Sequence, residues 1–273
     1  MKKIIVSLLA LIMLAMPVLA VDAGGNLGKV PYTLDEIKLD GAKDDVYALG
    51  LVVKAETTIN EEVTSKGTAY LLYDEEYLYA YVEVAGDTWH PATSADKLVA
   101  SPWNFDNVEL LIDVKNAGNK ADVHQYRIDA ATGSLSGQIG NPASQTTNGT
   151  DKVKAAKYFE GALGKLDGGY AVEYKIPLTA EKVGLNIMVS DTPKEGASAS
   201  NMYVKTQVAS AKTGAPGAWK PEEYPYITLD GDEVTAVKEE VKAPTAAATF
   251  DGLAVLAVVA ALSGAGVVVC KRK

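Results

Sequence analysis

Few side chains in this 273-residue sequence are arranged for bond-breaking chemistry. The two histidines, His90 and His124, share no metal-binding spacing such as HExxH. The body of the chain holds no cysteine, and neither a GxSxG elbow nor a phosphate-cradling glycine loop occurs. Carboxylates are abundant, but Glu109 with Asp113 or Asp129 makes no general acid and base pair unless their separation is right. No catalysis is expected. The informative residues are aromatic. Trp103 stands in a Ser-Pro-Trp-Asn loop and Trp219 in a Gly-Ala-Trp-Lys-Pro loop, and an indole on a loop is costly unless something covers it. Each ring could be a lid over a sheet end. The two together also offer flat surface to a ring with apolar C–H faces and polar edges, as a sugar has, provided a few fixed donors and acceptors stand nearby. Glu109 and Arg127 read either as such groups or as a cross-strand ion pair worth about 0.2–1 kcal/mol. Trp89, beside His90-Pro91, reads as structural.

The elements that must position these residues are strands. Apolar and polar residues alternate in short runs, and no stretch of eleven or more shows a helical period. The alternation predicts strands at Thr68–Tyr73 and Tyr77–Val84, joined by an acidic turn at Asp74-Glu75-Glu76. Further strands are predicted at Val108–Asp113, Gln125–Asp129, Tyr170–Ile176, Leu185–Ser190 and Tyr226–Leu229. Segments 116–119, 137–149 and 194–200 carry Gly, Asn, Pro and Ser and read as loops. Because side chains two apart share a face, Val108, Leu110, Ile112, Tyr126 and Ile128 pointing inward would leave Glu109, Arg127 and Asp129 outside. On the Leu185–Ser190 run the same reasoning turns Met188 outward. If these strands are neighbours, one sheet presents Glu109, Arg127, Asp129 and Met188 together.

The ends of the chain set the compartment. Residues 1–20 carry Lys2 and Lys3, an apolar run from Ile4 to Leu14 and small residues at the close, the pattern of a secretory signal. Leu253 to Val269 is uncharged and is followed by Cys270, Lys271, Arg272 and Lys273. At 1.5 Å per residue this run reaches roughly 26 Å, enough to cross a hydrocarbon core with its basic tip in the cytoplasm. The expected organisation is a signal peptide over 1–20, one domain over 21–231, a flexible linker over 232–250, a transmembrane anchor over 251–270 and a cytoplasmic tip over 271–273. The order of apolar run and basic tip is similar to the sorting tail of Gram-positive surface proteins, although the LPxTG pattern is absent. The net charge of −9 includes the five cations Lys2, Lys3, Lys271, Arg272 and Lys273, so the exported part carries about −14. That charge excludes nucleic acid as a partner. The single cysteine, Cys270, leaves the domain without a disulfide.

Seven blocks, in order, resemble the family 9 carbohydrate-binding modules. They are Ile37-Lys38-Leu39-Asp40-Gly41 with Asp44, Asp45 and Tyr47; Leu72 to Tyr79; Pro102-Trp103-Asn104-Phe105-Asp106-Asn107-Val108-Glu109 through Asp113; Gln125 to Asp129; Gly169 to Pro177; Leu185 to Asp191; and Trp219 to Pro225. The resemblance implies an all-β, antiparallel, jelly-roll-like β-sandwich that binds polysaccharide or oligosaccharide of plant cell-wall or mucin type, and the expected anchor would place it at the extracellular face of the membrane or cell wall. It implies a terminal sugar held between Trp103 and Trp219, with Glu109, Arg127, Asp129 and Met188 around its hydroxyls. Asp129 and Met188 depart from the family's asparagine and glutamine, so the hydroxyl pattern recognised here is expected to differ from that of a glucose end. Structural calcium is implied as well, and Asp40, Asp44, Asp45, Asp74, Glu75 and Asp87 offer oxygen ligands, none at EF-hand spacing. Two other readings stand beside this one. The related DOMON-like sandwiches hold haem, for which Met188 and His124 are conceivable ligands. The third reading is a surface protein that keeps the fold without a sugar site.

Overall fold

The computed structural model describes residues 24–58, 65–87, 100–149, 151–191, 204–208 and 217–236. The strands are β1 (Asn26–Lys29), β2 (Tyr32–Thr33), β3 (Leu51–Thr58), β4 (Lys66–Tyr73), β5 (Tyr77–Ala85), β6 (Asn107–Asp113), β7 (Val123–Asp129), β8 (Leu135–Ile139) and β9 (Gln145–Thr147). After one short helix, α1 (Lys152–Ala155), come β10 (Glu160–Leu166), β11 (Gly169–Pro177), β12 (Lys182–Asp191), β13 (Val204–Val208), β14 (Tyr226–Thr228) and β15 (Glu233–Val234). The seven strands read from the alternation correspond to β4, β5, β6, β7, β11, β12 and β14. Segment 137–149, read as a loop from its glycines and polar residues, instead contains most of β8 and all of β9. The signal, the anchor, Trp89, His90 and segment 194–200 lie outside the described residues, among which no helix is long and apolar enough to cross a membrane. Part of the expected linker is sheet: β15 pairs with β2, and the Ala236 amide donates to Asp35 at 2.6 Å.

Strands run in the hydrogen-bonded order β10-β11-β5-β4-β3-β13-β12-β6-β7-β8-β9. This ribbon makes two layers, with β10, β11, β5, β4 and β3 in one and β12, β6, β7, β8 and β9 in the other. The long pairings are antiparallel, but β1·β14, β2·β4 and β2·β15 are parallel, so the architecture is mixed rather than wholly antiparallel. Alternation dictates what lies between the layers. Ala69, Leu71, Ala80, Val82, Val172 and Tyr174 from the first layer meet Val108, Leu110, Ile128, Leu185, Ile187 and Val189 from the second in one buried cluster. The Tyr174 hydroxyl crosses the core to donate to the Val108 carbonyl at 2.7 Å, which satisfies a polar group that burial would otherwise strand. Phe159 fills the space between Tyr126 and Tyr174, with ring centroids 5.2 and 6.0 Å away. Where layers approach closely only glycine fits: a Cβ on Gly67 would stand 2.8 Å from Val189 of the opposite layer.

The β4–β5 hairpin shows how sequence sets local structure. Asp74 Oδ1 accepts the amides of Glu76 and Tyr77 at 2.8 and 2.7 Å, and its Oδ2 accepts the Tyr79 hydroxyl at 2.7 Å. A short side-chain acceptor at this position closes the turn and fixes the register that follows.

Candidate functional site

The outward face of the second layer carries the expected residues. In register across four strands, Met188 on β12 pairs with Glu109 on β6, Glu109 with Arg127 on β7, and Arg127 with Ser136 on β8. The row is a bonded network. Arg127 Nε lies 3.3 Å from Glu109 Oε1, Gln125 Nε2 donates to Glu109 Oε2 at 2.7 Å, and Arg127 donates to Ser136 Oγ at 3.2 Å. Asp129 stands one row away, opposite Asn107.

Two features differ from the sequence expectation. These residues do not simply face solvent: Glu109, Arg127, Asp129 and Met188 are only 1, 3, 2 and 2 % exposed, and Trp219 and Tyr224 pack over this face at Met188. Buried ions of opposite sign must then offset one another, which the Glu109–Arg127 pair does in charge, although Arg127 Nε makes no hydrogen bond. Asp129 is also largely a turn former. Its Oδ1 accepts the amide and the hydroxyl of Thr132 at 2.9 and 2.7 Å. Burial pushes its carboxyl above the usual carboxylate range, against those Thr132 bonds.

Both tryptophan loops are tied to β6. Pro102–Asn104 forms one 3-10 turn, and Asn107 Nδ2 donates to the carbonyls of Pro102 at 3.4 Å and Phe105 at 2.5 Å. Trp103, between those two carbonyls, is 44 % exposed. Trp219, half-buried, packs on an apolar platform of Leu111, Val123, Met188 and Tyr224, and the Tyr224 hydroxyl donates to the Ala218 carbonyl beside it. Asn107, Glu109 and Leu111 point the same way along β6 about 7 Å apart. Glu109 therefore lies between the residue that holds the Trp103 loop and one that seats Trp219.

Met188 and His124 do not fit as the ligand pair of the haem reading. Met188 belongs to the outward face, whereas His124 shares the inward parity of Tyr126 and Ile128 and its Nδ1 lies 3.1 Å from the Tyr126 hydroxyl. The two residues lie on opposite sides of the sheet and cannot ligate one iron from its two axial positions.

The acidic residues expected to hold calcium are mostly engaged in loops. Asp40 accepts the Ala42 amide at 2.9 Å, Asp44 the Lys38 amide at 2.7 Å, and Asp74 closes its turn; among the described residues no metal-sized cluster includes Asp45 or Glu75. Asp87 is the exception. With Asp106 and Asp191 it forms a buried group whose ligand oxygens all lie within 4.8 Å of one another. These three sit after β5, before β6 and at the end of β12, and Tyr170 adjoins them: its phenol is held well above its usual range by burial first and then by the three carboxylates. Three desolvated carboxylates repel one another unless a cation joins them, and an all-oxygen donor set suits a hard divalent ion. Asp106 and Asp191 were legible only as motif letters. The available signal was an aspartate at the border of each of three strands.

A family model described as "Carbohydrate family 9 binding domain-like" matches residues 39–219. The chain belongs to that family of non-catalytic carbohydrate-binding domains. Among curated relatives it is similar to an endo-1,4-beta-xylanase C of Paenibacillus barcinonensis, 30 % identical over 162 residues. It is also similar to the exoglucanase XynX of Acetivibrio thermocellus, 24 % identical over 167 residues. The matches take in 56 and 58 % of this chain but only 13 and 14 % of those enzymes. Two solved structures share the fold, both of a family 9 module from Caldicellulosiruptor kristjanssonii. The complex with cellotriose has TM-score 0.54 at 19 % identity, covering 76 % of this chain and 97 % of that one. The complex with glucose has TM-score 0.55 at 20 % identity, covering 74 and 95 %.

Proposed function

We propose that this chain is a surface-displayed carbohydrate-binding module that takes the end of a neutral β-linked glycan between Trp103 and Trp219. The observation that carries the reading is the position of Glu109 on β6, between the anchor of one indole loop and the seat of the other. Indole faces supply the stacking surface, while Glu109, Arg127 and Gln125, buried and bonded to one another, form a fixed polar floor beneath it, so little ordering is required on binding. Because the Glu109–Arg127 pair is internally neutral, an uncharged polyol suits it better than an acidic sugar. Asp129, with one oxygen engaged by Thr132, and Met188, beneath Trp219, shape the edges of the site. The glucose and cellotriose held by structural neighbours and the xylanase and glucanase context of the curated relatives support β-glucan or xylan as the ligand class.

Asp87, Asp106 and Asp191 would hold calcium, which when bound neutralises the cluster and joins three strand borders beside the Trp103 loop. Residues 1–20 would direct export and residues 251–270 would tether the module to the membrane, with protease accessibility on intact cells as the check. Titration of the full chain with cellotriose and xylo-oligosaccharides, in wild type, Trp103→Ala and Trp219→Ala, tests the site. Each alanine is expected to weaken binding by about 1–3 kcal/mol, the worth of an aromatic stacking contact by analogy with bases. Trp103→Ala is expected to shift stability by less than about 0.5 kcal/mol, as an exposed substitution should. Equal affinity in all three proteins would remove the assignment.

A further inference from the structure

We infer that Asn107 and Tyr224 are positioning residues that aim the two indoles, so that sugar affinity depends on three side-chain hydrogen bonds that never touch the sugar. This inference rests on the site proposed above and adds to it the means by which that site is kept in shape. An indole on a loop samples many orientations, and each orientation lost on binding subtracts from affinity. A loop already fixed in the binding geometry avoids that loss.

Asn107 is fully buried at the start of β6, on the face that carries Glu109, and its amide nitrogen reaches the carbonyls of Pro102 and Phe105. Those carbonyls bracket Trp103-Asn104, so one side chain holds both ends of the turn that carries the ring. Further bonds lock the turn to the sheet: the Asn104 amide donates to Ser101 at 3.1 Å, and the Ala130 amide donates to Asp106 at 2.8 Å. The indole stays exposed while its backbone is fixed from beneath.

Tyr224 does the corresponding work for Trp219 by other means. Its ring is fully buried against Leu111, Val123 and Met188, and its hydroxyl donates to the carbonyl of Ala218, the residue before Trp219. A second tie runs through the backbone, where the Tyr224 amide donates to Pro221 at 3.1 Å and the Glu223 amide to Lys220 at 2.9 Å, closing a 3-10 turn over 221–223. Met188, expected from the family pattern to meet the sugar, is thereby assigned to the platform under the ring. Its unbranched thioether suits an irregular apolar gap of this kind.

The test uses conservative changes that remove a donor and keep volume, Tyr224→Phe and Asn107→Leu, in the full chain. Cellotriose affinity is measured by calorimetry, and indole order is measured without ligand by near-ultraviolet circular dichroism and iodide quenching. Each variant is expected to bind cellotriose about fivefold or more weakly, the size of one net hydrogen bond. Altered indole bands and a melting temperature within a few degrees of wild type should accompany that loss. Asn107→Ser, which can still donate, should recover part of the affinity. Binding within twofold of wild type in both variants would overturn the inference. If wild type binds no glycan, the proposed function fails on its own, and unchanged indole bands in both variants would then overturn the positioning role independently. Should Asn107→Leu fail to fold, Tyr224→Phe decides alone, since its ring and packing are retained.

Discussion

Among the described residues, each layer of the sandwich buries one glutamate on its outward face, and the two are treated in opposite ways. Glu109, on the second layer, lies beside a guanidinium and an amide donor. Glu173, on the first layer, is fully buried opposite Tyr81 and has no cation within bonding distance among the described residues. It accepts the amides of Asp40 and Gly41 at 3.1 and 3.0 Å and the Tyr47 hydroxyl at 3.0 Å. Burial therefore pushes its carboxyl up to about 7, while the bonds from Gly41 and Tyr47 pull the other way. The difference separates a site from a clamp. Charges held as a matched pair offset one another and, under the proposed function, back the sugar site, whereas a lone carboxyl under a backbone loop only fastens that loop. Tyr47 belongs to the same fastening: its ring is fully buried against Tyr81, with centroids 5.4 Å apart, so this face is closed by its own chain.

The sharpest way to break the comparison is to remove the cation from the second layer. Arg127→Met leaves Glu109 buried without its partner and is expected to cost about 3–5 kcal/mol in urea unfolding at pH 7. Removing both charges, as Glu109→Leu with Arg127→Met, should recover most of that stability while abolishing glycan binding. A double variant as unstable as the single would show that the pair is not what burial made costly. The first layer should be broken through backbone instead. A Cβ on Gly164 would stand 1.9 Å from the Gly41 carbonyl oxygen, because the Asp40-Gly41 loop lies directly on β10. Gly164→Ala is therefore expected to cost about 1–3 kcal/mol, the usual range for overpacking, and to loosen the Tyr47 clamp without changing sugar affinity. Differential scanning calorimetry and a cellotriose titration on the same sample would separate the two effects.

How much of this was legible in the sequence follows from what alternation encodes. Period-two patterning reports which side chains share a face, so the row Met188, Glu109 and Arg127 could be drawn before any strand order was known. It says nothing about what covers a face, and the burial of that row, with Tyr224 and Trp219 packed over Met188, was invisible for that reason. Strands that lie at an edge or lack an apolar stripe leave little pattern: β8 and β9, Leu135–Ile139 and Gln145–Thr147, sit among glycines and polar residues and read as loop. Asp87, Asp106 and Asp191 are more than a hundred residues apart at the extremes, and only β6 pairing with β12 beside the end of β5 brings them together. The clamp at Glu173 was likewise hidden, since an apolar-flanked glutamate in Val172-Glu173-Tyr174 reads as an outward, solvated residue.

The smallest effect expected is also the most diagnostic of the contrast between the two glutamates. With the carboxyl of Glu173 at about 7 in the folded chain against the ordinary 4.5, the folded state binds the extra proton between those values. Stability from this group is then complete below about pH 4.5, declines as pH rises to about 7, and is flat beyond. Glu173→Gln mimics the protonated form: its carbonyl oxygen can still accept the Asp40 and Gly41 amides, and its amide can donate to Tyr47. The variant should lose the slope between pH 4.5 and 7 and match or exceed wild type at pH 8 by on the order of 1 kcal/mol, read from urea midpoints at four pH values. Glu109→Gln should show no such gain, because it strands Arg127 instead of relieving an unpaired charge. If the Glu173→Gln slope ran parallel to wild type, the carboxyl in the first layer would not be held protonated by burial, and the distinction between clamp and site would rest on packing alone.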